Sequence, residues 1–147
     1  MRFVTMMGLV AILTVSCCGQ EKAPQPNPAV PALVQEINRY RVTRGLTPYE
    51  FSPELQKAAQ RHADDMSKNN FLGHTGTDGS SFSQRAREAG FRGTSGGEIA
   101  APVGDPAEAV KLWKASPGHH AQMLSSHRYI GAATAGKNAA VAVFFSK

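Results

Sequence analysis

Histidines and acids are the residues of this chain best suited to chemistry, and three of them stand out by their surroundings. His74 opens a polar loop, Glu98 lies between a glycine pair and an apolar run, and His119 follows a Ser-Pro-Gly turn. Two imidazoles and a carboxylate can bind zinc and leave one coordination position open. The same groups could instead act as general acid and base, because imidazole titrates near neutral pH. They are far apart in the sequence and form no local ligand motif, so their spacing leaves both chemistries open.

The other histidines have simpler interpretations. His62 lies on the apolar face of a predicted helix, which favours a core residue satisfied by a hydrogen bond. His120 should pack at the surface, and His127, in a connecting segment, is expected to be solvated. Ser116 could be imagined as a nucleophile, but a capping role in the Ser-Pro-Gly turn explains it better, since no oriented acid completes a triad.

Length and composition indicate one globular domain, which we expect to be monomeric. The chain has 147 residues, of which 41% are apolar and 18% are charged. Its formal charge of +5 is spread out, without the basic stripe and interleaved aromatic residues of a nucleic-acid binder, so we expect no nucleic-acid partner. Cys17 and Cys18 are adjacent, which excludes a disulfide framework, a cysteine zinc site and an iron–sulfur cluster.

The N-terminus has the pattern of a secretory signal. Arg2 is followed by an apolar run from Phe3 to Val15 and then by small residues. This run of about 13 residues is shorter than the roughly 20 needed to span a bilayer, which disfavours the alternative of a transmembrane helix. We therefore predict a signal peptide over residues 1–17.

The end of this signal resembles the lipobox of bacterial lipoproteins, in which a cysteine becomes the lipidated first residue after cleavage. Either Cys17 or Cys18 could be that residue, and simple secretion is the alternative. Residues 18–31 hold four prolines and are predicted to form a semi-rigid tether before a folded domain at 32–147. The expected product is a domain held at a bacterial membrane through an N-terminal lipid.

The domain shows helical patterns first and strand patterns last, which predicts an α+β architecture. Ser52 and Asp105 are predicted helix N-caps, residues 73–80 and 93–97 are expected to be loops, and Trp113 is expected to be a core residue. The predicted helices run from Val30 to Tyr40, from Pro53 to about Asn69, from Phe82 to Ala89, from Asp105 to Trp113 and from Pro117 to Leu124, and a two-strand hairpin spans Tyr129 to Ser146.

Five short motifs in a fixed order resemble the CAP superfamily, also called SCP-like extracellular proteins, and in particular its bacterial members. The resemblance covers nearly the whole of residues 32–147 and implies a three-layer α–β–α sandwich. The motifs are Leu55-x-x-Ala58-Ala59-x-x-His62-Ala63-x-x-Met66, Phe71-Leu72-Gly73-His74-Thr75, Asp78-Gly79-x-Ser81, Gly97-Glu98-Ile99-Ala100 and Trp113-x-x-Ser116-Pro117-Gly118-His119-His120-Ala121-x-Met123-Leu124.

The resemblance also implies a central cleft lined by two histidines and two acids, which in some members holds a divalent metal such as zinc. His74 and His119 correspond to the two histidines and Glu98 to the first acid. Ser116 occupies the position of the second acid, so we expect weaker metal binding here.

The function implied by the resemblance is that of an extracytoplasmic binding module. Its ligand would be a divalent cation such as Zn²⁺, a small lipid-like molecule or a component of the cell envelope. The alternative is a metal-dependent hydrolase in which Glu98 activates a water molecule. A structural or adhesive envelope protein is a third hypothesis.

Overall fold

The computed structural model describes residues 30–146, and its elements follow the predicted order. The helices in this range are α1 (Ala32–Thr43), α2 (Pro53–Asn69), α3 (Phe82–Glu88), α4 (Pro106–Ala115) and α5 (Pro117–Met123). The strands are β1 (Glu50–Phe51), β2 (Ser95–Ala101), β3 (Tyr129–Ala135) and β4 (Ala139–Ser146). The predicted signal peptide, both cysteines and most of the tether lie outside the described residues. None of the described helices is both long and apolar enough to cross a membrane.

Local sequence signals fix the ends of the main helices. Ser52 caps α2 as predicted, because its hydroxyl accepts a hydrogen bond from the Leu55 amide at 3.2 Å. Asn70, with a left-handed φ of 52°, ends the same helix. Asp105 caps α4 by accepting from the Glu108 amide at 2.8 Å.

Two local expectations are wrong. Ser116 stands at the N-cap position of α5, but its side chain makes no capping hydrogen bond, and Pro117 supplies the helical φ instead. Residues 95–97 were expected to be loop, whereas they begin β2 and pair with β4. The glycines there mark close contact rather than a turn, since a Cβ on Gly97 would lie 2.7 Å from the Gln122 side chain.

The described strands form one sheet in the order β1-β3-β4-β2. β3 and β4 are the predicted antiparallel hairpin, which is confirmed. β2 pairs antiparallel with the other side of β4, and β1 adds two residues parallel to β3. β1 and β2 are therefore the edge strands.

Helices cover both faces of the sheet. On one face, α1, α4 and α5 bury side chains that include Ile37, Trp113 and Met123. On the other face, α2 and α3 bury side chains that include Leu55 and Ala86. The predicted three-layer α–β–α sandwich is confirmed, and Trp113, at 0% exposure, is a core residue as predicted.

Helix α2 closes the outer edge of β3. The Gln56 side chain accepts a hydrogen bond from the Ala132 amide at 3.0 Å, and the Gln60 side chain donates one to the Thr134 carbonyl at 3.4 Å. Both bonds satisfy main-chain groups that the short β1 does not reach.

Candidate functional site

Glu98 is the centre of the candidate site. It lies in β2, and its side chain faces the layer of α2 and α3, where it is 1% exposed. Oε1 accepts a hydrogen bond from Nδ1 of His74 at 3.0 Å, and Oε2 accepts one from Nη2 of Arg85 at 2.7 Å. The fold thus brings two of the three predicted site residues into direct contact and engages both carboxylate oxygens.

Arg85 is the site residue that the sequence did not reveal. It lies on α3, and its side chain is also 1% exposed. Its guanidinium donates hydrogen bonds to the carbonyl of Ser80 at 2.6 Å and to that of His74 at 3.2 Å. The several donors of a planar guanidinium suit this position, where one side chain joins a carboxylate and both ends of a loop. A single arginine on a short helix has no spacing motif that could have predicted this role.

The His74 ring is held at one nitrogen and open at the other. Nδ1 is engaged by Glu98, while the side chain as a whole is 56% exposed. Nε2 is therefore the ring nitrogen that has no hydrogen bond among residues 30–146. A carboxylate behind a histidine fixes the tautomer and the orientation of the ring, as second partners of metal-binding histidines commonly do.

His62 supports the same loop from the core. It is 0% exposed, and its Nε2 donates a hydrogen bond to the Gly73 carbonyl at 2.9 Å. The same nitrogen lies 3.7 Å from Oε1 of Glu98. His62 is thus the buried, hydrogen-bonded histidine that the sequence predicted, although its Nδ1 has no hydrogen-bond partner among residues 30–146.

His119 lies in the layer opposite to that of the Glu98 side chain, because its helix, α5, packs on the other face of the sheet. Burial and, to a smaller degree, the electrostatic influence of His74 lower the pKa of His119 below its ordinary value. The lowered pKa favours neutral imidazole, which is the form that binds a metal ion or accepts a proton.

We expect the substitution His74→Asn to raise the pKa of His119 toward its ordinary value, because it removes one of the two causes of the shift. An NMR titration of the imidazole signals measures this change. His127 provides the internal control, since burial alone lowers its pKa and the substitution should leave it unmoved. An unchanged His119 would show that the two imidazoles do not share a cleft.

The described residues do not form a three-ligand cation site, so His74 and His119 are the side chains left as candidate ligands. Within residues 30–146, no three or more His, Cys, Asp and Glu side chains are arranged to hold a metal ion. Glu98 has both oxygens committed, so its direct action is on the orientation of His74. Metal binding by His74, Glu98 and His119 therefore stays a prediction, with Glu98 placed behind His74.

The remaining histidines have other partners. Nε2 of His120 lies 2.7 Å from the Tyr40 hydroxyl, in a half-buried contact between α5 and α1. His127, expected to be solvated, is half-buried: its Nδ1 pairs with the Ser125 hydroxyl at 2.8 Å, and burial lowers its pKa. Ser125 also pairs with the Tyr49 hydroxyl at 2.9 Å, so His127 belongs to a packed turn after α5.

Solved structures of several bacterial proteins share this fold. An extracellular protein containing an SCP domain from Bacillus anthracis matches with a TM-score of 0.73 at 21% identity, over 78% of this chain and 39% of that one. An outer surface protein from Borrelia burgdorferi matches with a TM-score of 0.68 at 23% identity, over 78% of this chain and 90% of that one. A cysteine-rich secretory protein from Staphylococcus aureus matches with a TM-score of 0.61 at 14% identity, over 78% of this chain and 37% of that one. The fold class is therefore that of SCP domains.

The family follows from the sequence match. Residues 34–146 match the cysteine-rich secretory protein family, abbreviated CAP, and the chain belongs to this family. The resemblance inferred from the motifs is confirmed. Protein YkwD of Bacillus subtilis (strain 168) is 32% identical over 94 residues, which are 63% of this chain. The chain spans 37% of the length of that relative.

Proposed function

We propose that the domain is an extracytoplasmic binding module whose cleft holds a divalent cation, with zinc as the first candidate, between His74 and His119. The observation that carries this proposal is the fixed ring of His74, in which Nδ1 is tied to the buried Glu98 and Nε2 is left for a ligand. The lowered pKa of His119 supplies a second neutral imidazole from the opposite layer.

A bound zinc ion would supply a Lewis acid with open coordination positions for a ligand. The residues of the chain orient the site: Glu98 keeps His74 in one tautomer, and Arg85 keeps Glu98 in place. Because Ser116 stands where the family resemblance implies a second acid, we propose that the cleft has less negative charge and binds a cation moderately rather than tightly.

We also propose that the domain works at the outer side of a bacterial membrane, anchored by a lipid on Cys17 or Cys18. The sequence pattern at residues 1–18 supports this location. The structures with the same fold include one described as extracellular and one described as an outer surface protein. The ligand would then be a small molecule or a component of the envelope, bound by a monomer.

The hydrolase hypothesis receives less support from the geometry. It assigns Glu98 the activation of a water molecule, which needs a carboxylate oxygen open to the cleft. The Glu98 side chain is 1% exposed, and both of its oxygens accept hydrogen bonds from neighbouring side chains. We therefore propose a binding function.

The proposal is tested by titrating the folded chain with zinc while the imidazole NMR signals and the heat of binding are followed. Zinc should shift the signals of His74 and His119, with an affinity that falls on acidification because protons compete for the ring nitrogens. The substitution His119→Ala should lower the zinc affinity by at least about ten-fold, since one of two nitrogen ligands is lost.

The matched control is His127→Ala, because His127 is also partly buried with a lowered pKa but lies in the turn after α5. This variant should bind zinc like the unchanged chain. Equal losses in the two variants, or a His74 signal that ignores zinc, would contradict the proposed cation site.

A further inference from the structure

The outer edge of β2 carries main-chain groups that point away from the sheet. β2 lies at the end of the strand order and pairs only with β4. The Ala100 carbonyl accepts a hydrogen bond from Nε1 of Trp113 at 3.1 Å, so this carbonyl faces away from β4. Along an antiparallel strand, residues whose main-chain groups point toward the neighbouring strand alternate with residues whose main-chain groups point away from it. The main-chain groups of Gly96 and Glu98 therefore face outward, away from β4, as that of Ala100 does.

These outward groups have no hydrogen-bond partner among the described residues, and the main chain of Glu98 is partly exposed. No main-chain or side-chain group within residues 30–146 hydrogen-bonds to the outward amides and carbonyls of Gly96 and Glu98. Glu98 is 9% exposed, against 1% for its inward neighbour Ile99. Because the Glu98 side chain is only 1% exposed, the exposed part of this residue is its main chain.

The opposite edge of the sheet differs from this one. There the Ile130 carbonyl accepts from the Ser52 amide at 2.9 Å, and the glutamines of α2 satisfy the next outward residues of β3. Proteins generally protect sheet edges, because an open edge can pair with another chain. The fold thus closes one edge and leaves the other open beside Glu98.

The open edge lies between the two histidines of the cleft. His74 belongs to the layer of α2 and α3 through its bond to Glu98, whereas His119 lies on α5 in the opposite layer. β2 belongs to the middle layer, so its outer edge lies between the layer that holds His74 and the layer that carries His119. A chain placed beside β2 would pass between them.

We propose that the ligand of the cleft is a polypeptide segment in extended conformation, which adds a strand to the sheet beside residues 96–98. Hydrogen bonds to the main chain of β2 would supply affinity that does not depend on the peptide's sequence. Its alternating side chains would face His74 on one side and α5 on the other. The inference rests on the proposed function for the place of the cleft, but it does not need the cation.

A single extended segment fits the open edge better than a second copy of this domain. The Ala100 carbonyl already accepts a hydrogen bond from Trp113, so the unpaired outward main-chain groups are limited to those of Gly96 and Glu98. Pairing of two whole domains edge to edge needs a longer free strand. Two copies of the whole chain, whose formal charge is +5, also repel each other.

The test uses a blocked decapeptide of alternating threonine and valine with a glutamate at each end, N-methylated at every second residue. Such a peptide keeps one edge for pairing and cannot form sheets with itself. Hydrogen exchange measured by NMR should show the amides of Gly96 and Glu98 slowed by about ten-fold or more at saturating peptide. A second peptide, N-methylated at every residue, should bind about ten-fold more weakly or worse, because it has no free amide to donate.

Equal binding of the two peptides, or unchanged exchange at Gly96 and Glu98 at millimolar peptide, would overturn the inference. Slow exchange of the Gly96 and Glu98 amides in the full chain without peptide would also overturn it, because these amides would then be covered already by a dimer or by the chain's own N-terminal segment. The zinc titration reports on the imidazoles and not on these amides. Peptide binding without zinc binding would therefore refute the cation site and support the strand site, and the reverse result would do the opposite.

Discussion

Unfolding experiments on the variant Arg85→Leu should show a loss of about 3–5 kcal/mol in the free energy of unfolding. The substitution leaves Glu98 as a buried carboxylate without its cationic partner, at a position where both side chains are 1% exposed. It also removes the donors to the carbonyls of Ser80 and His74. Urea denaturation followed by the fluorescence of the single tryptophan, Trp113, measures the change, because this residue is 0% exposed in the folded domain.

Arg61→Leu is the matched control. Arg61 also pairs with two acids, Asp78 and Glu88, but its side chain is 45% exposed, and solvent screens such pairs. Arg61→Leu should lower the free energy of unfolding by only a small fraction of the loss expected for Arg85→Leu. Adding Glu98→Gln to Arg85→Leu should restore part of the stability, because the uncompensated charge is then removed. A loss at Arg85 no larger than at Arg61 would show that the buried pair does not hold the site together.

The elements that position the site were largely predictable because their signals are local. α2 is defined by a capping serine, a proline at its first position and an apolar face that includes Ala59 and Met66, and each of these acts within a few residues. The same holds for the β3–β4 hairpin, whose strands are joined by a tight turn at residues 136–138.

β2 escaped prediction because its identity depends on distant partners. Its first three residues, Ser95, Gly96 and Gly97, have little intrinsic preference for a strand, and they become one by pairing with the end of β4. The glycines there leave room for Phe145 and Gln122, which a sequence pattern does not show. Strand formation at this place is a tertiary effect.

The candidate site was predictable only in part for the same reason. His74 and Glu98 were identified through the family resemblance, and the fold places them in contact. Arg85 was missed, because a buried arginine becomes meaningful only when its partners are known. The partial burial of His127 was not predicted, because it depends on the packed turn around Ser125. Side chains that act through long-range contacts carry no signal in their immediate sequence.

The contact between α2 and β3 leads to a second large expected effect, at Gly131. A Cβ at this position would lie 2.1 Å from the main chain of Leu55 and Gln56, where no flexible side chain can yield. The substitution Gly131→Ala should therefore push α2 away from the sheet and cost about 1–3 kcal/mol or more in the free energy of unfolding. Because α2 also carries His62, the support of the Gly73 carbonyl should loosen. Denaturation and the exchange rate of the loop amides at residues 73–77 measure the two consequences.

Gly118→Ala is the control that separates this steric effect from a general intolerance of glycine replacement. Gly118 lies in α5, one residue before His119, and a Cβ there would meet no atom within 4 Å apart from its chain neighbours and the backbone of its own helix. Since alanine favours the helix over glycine by about 1 kcal/mol, this variant should be as stable as the unchanged chain or slightly more so. If Gly131→Ala were tolerated equally well, α2 would not be fixed by close contact with β3. The position of His74 would then depend chiefly on Arg85 and Glu98, whose bonds reach the loop directly.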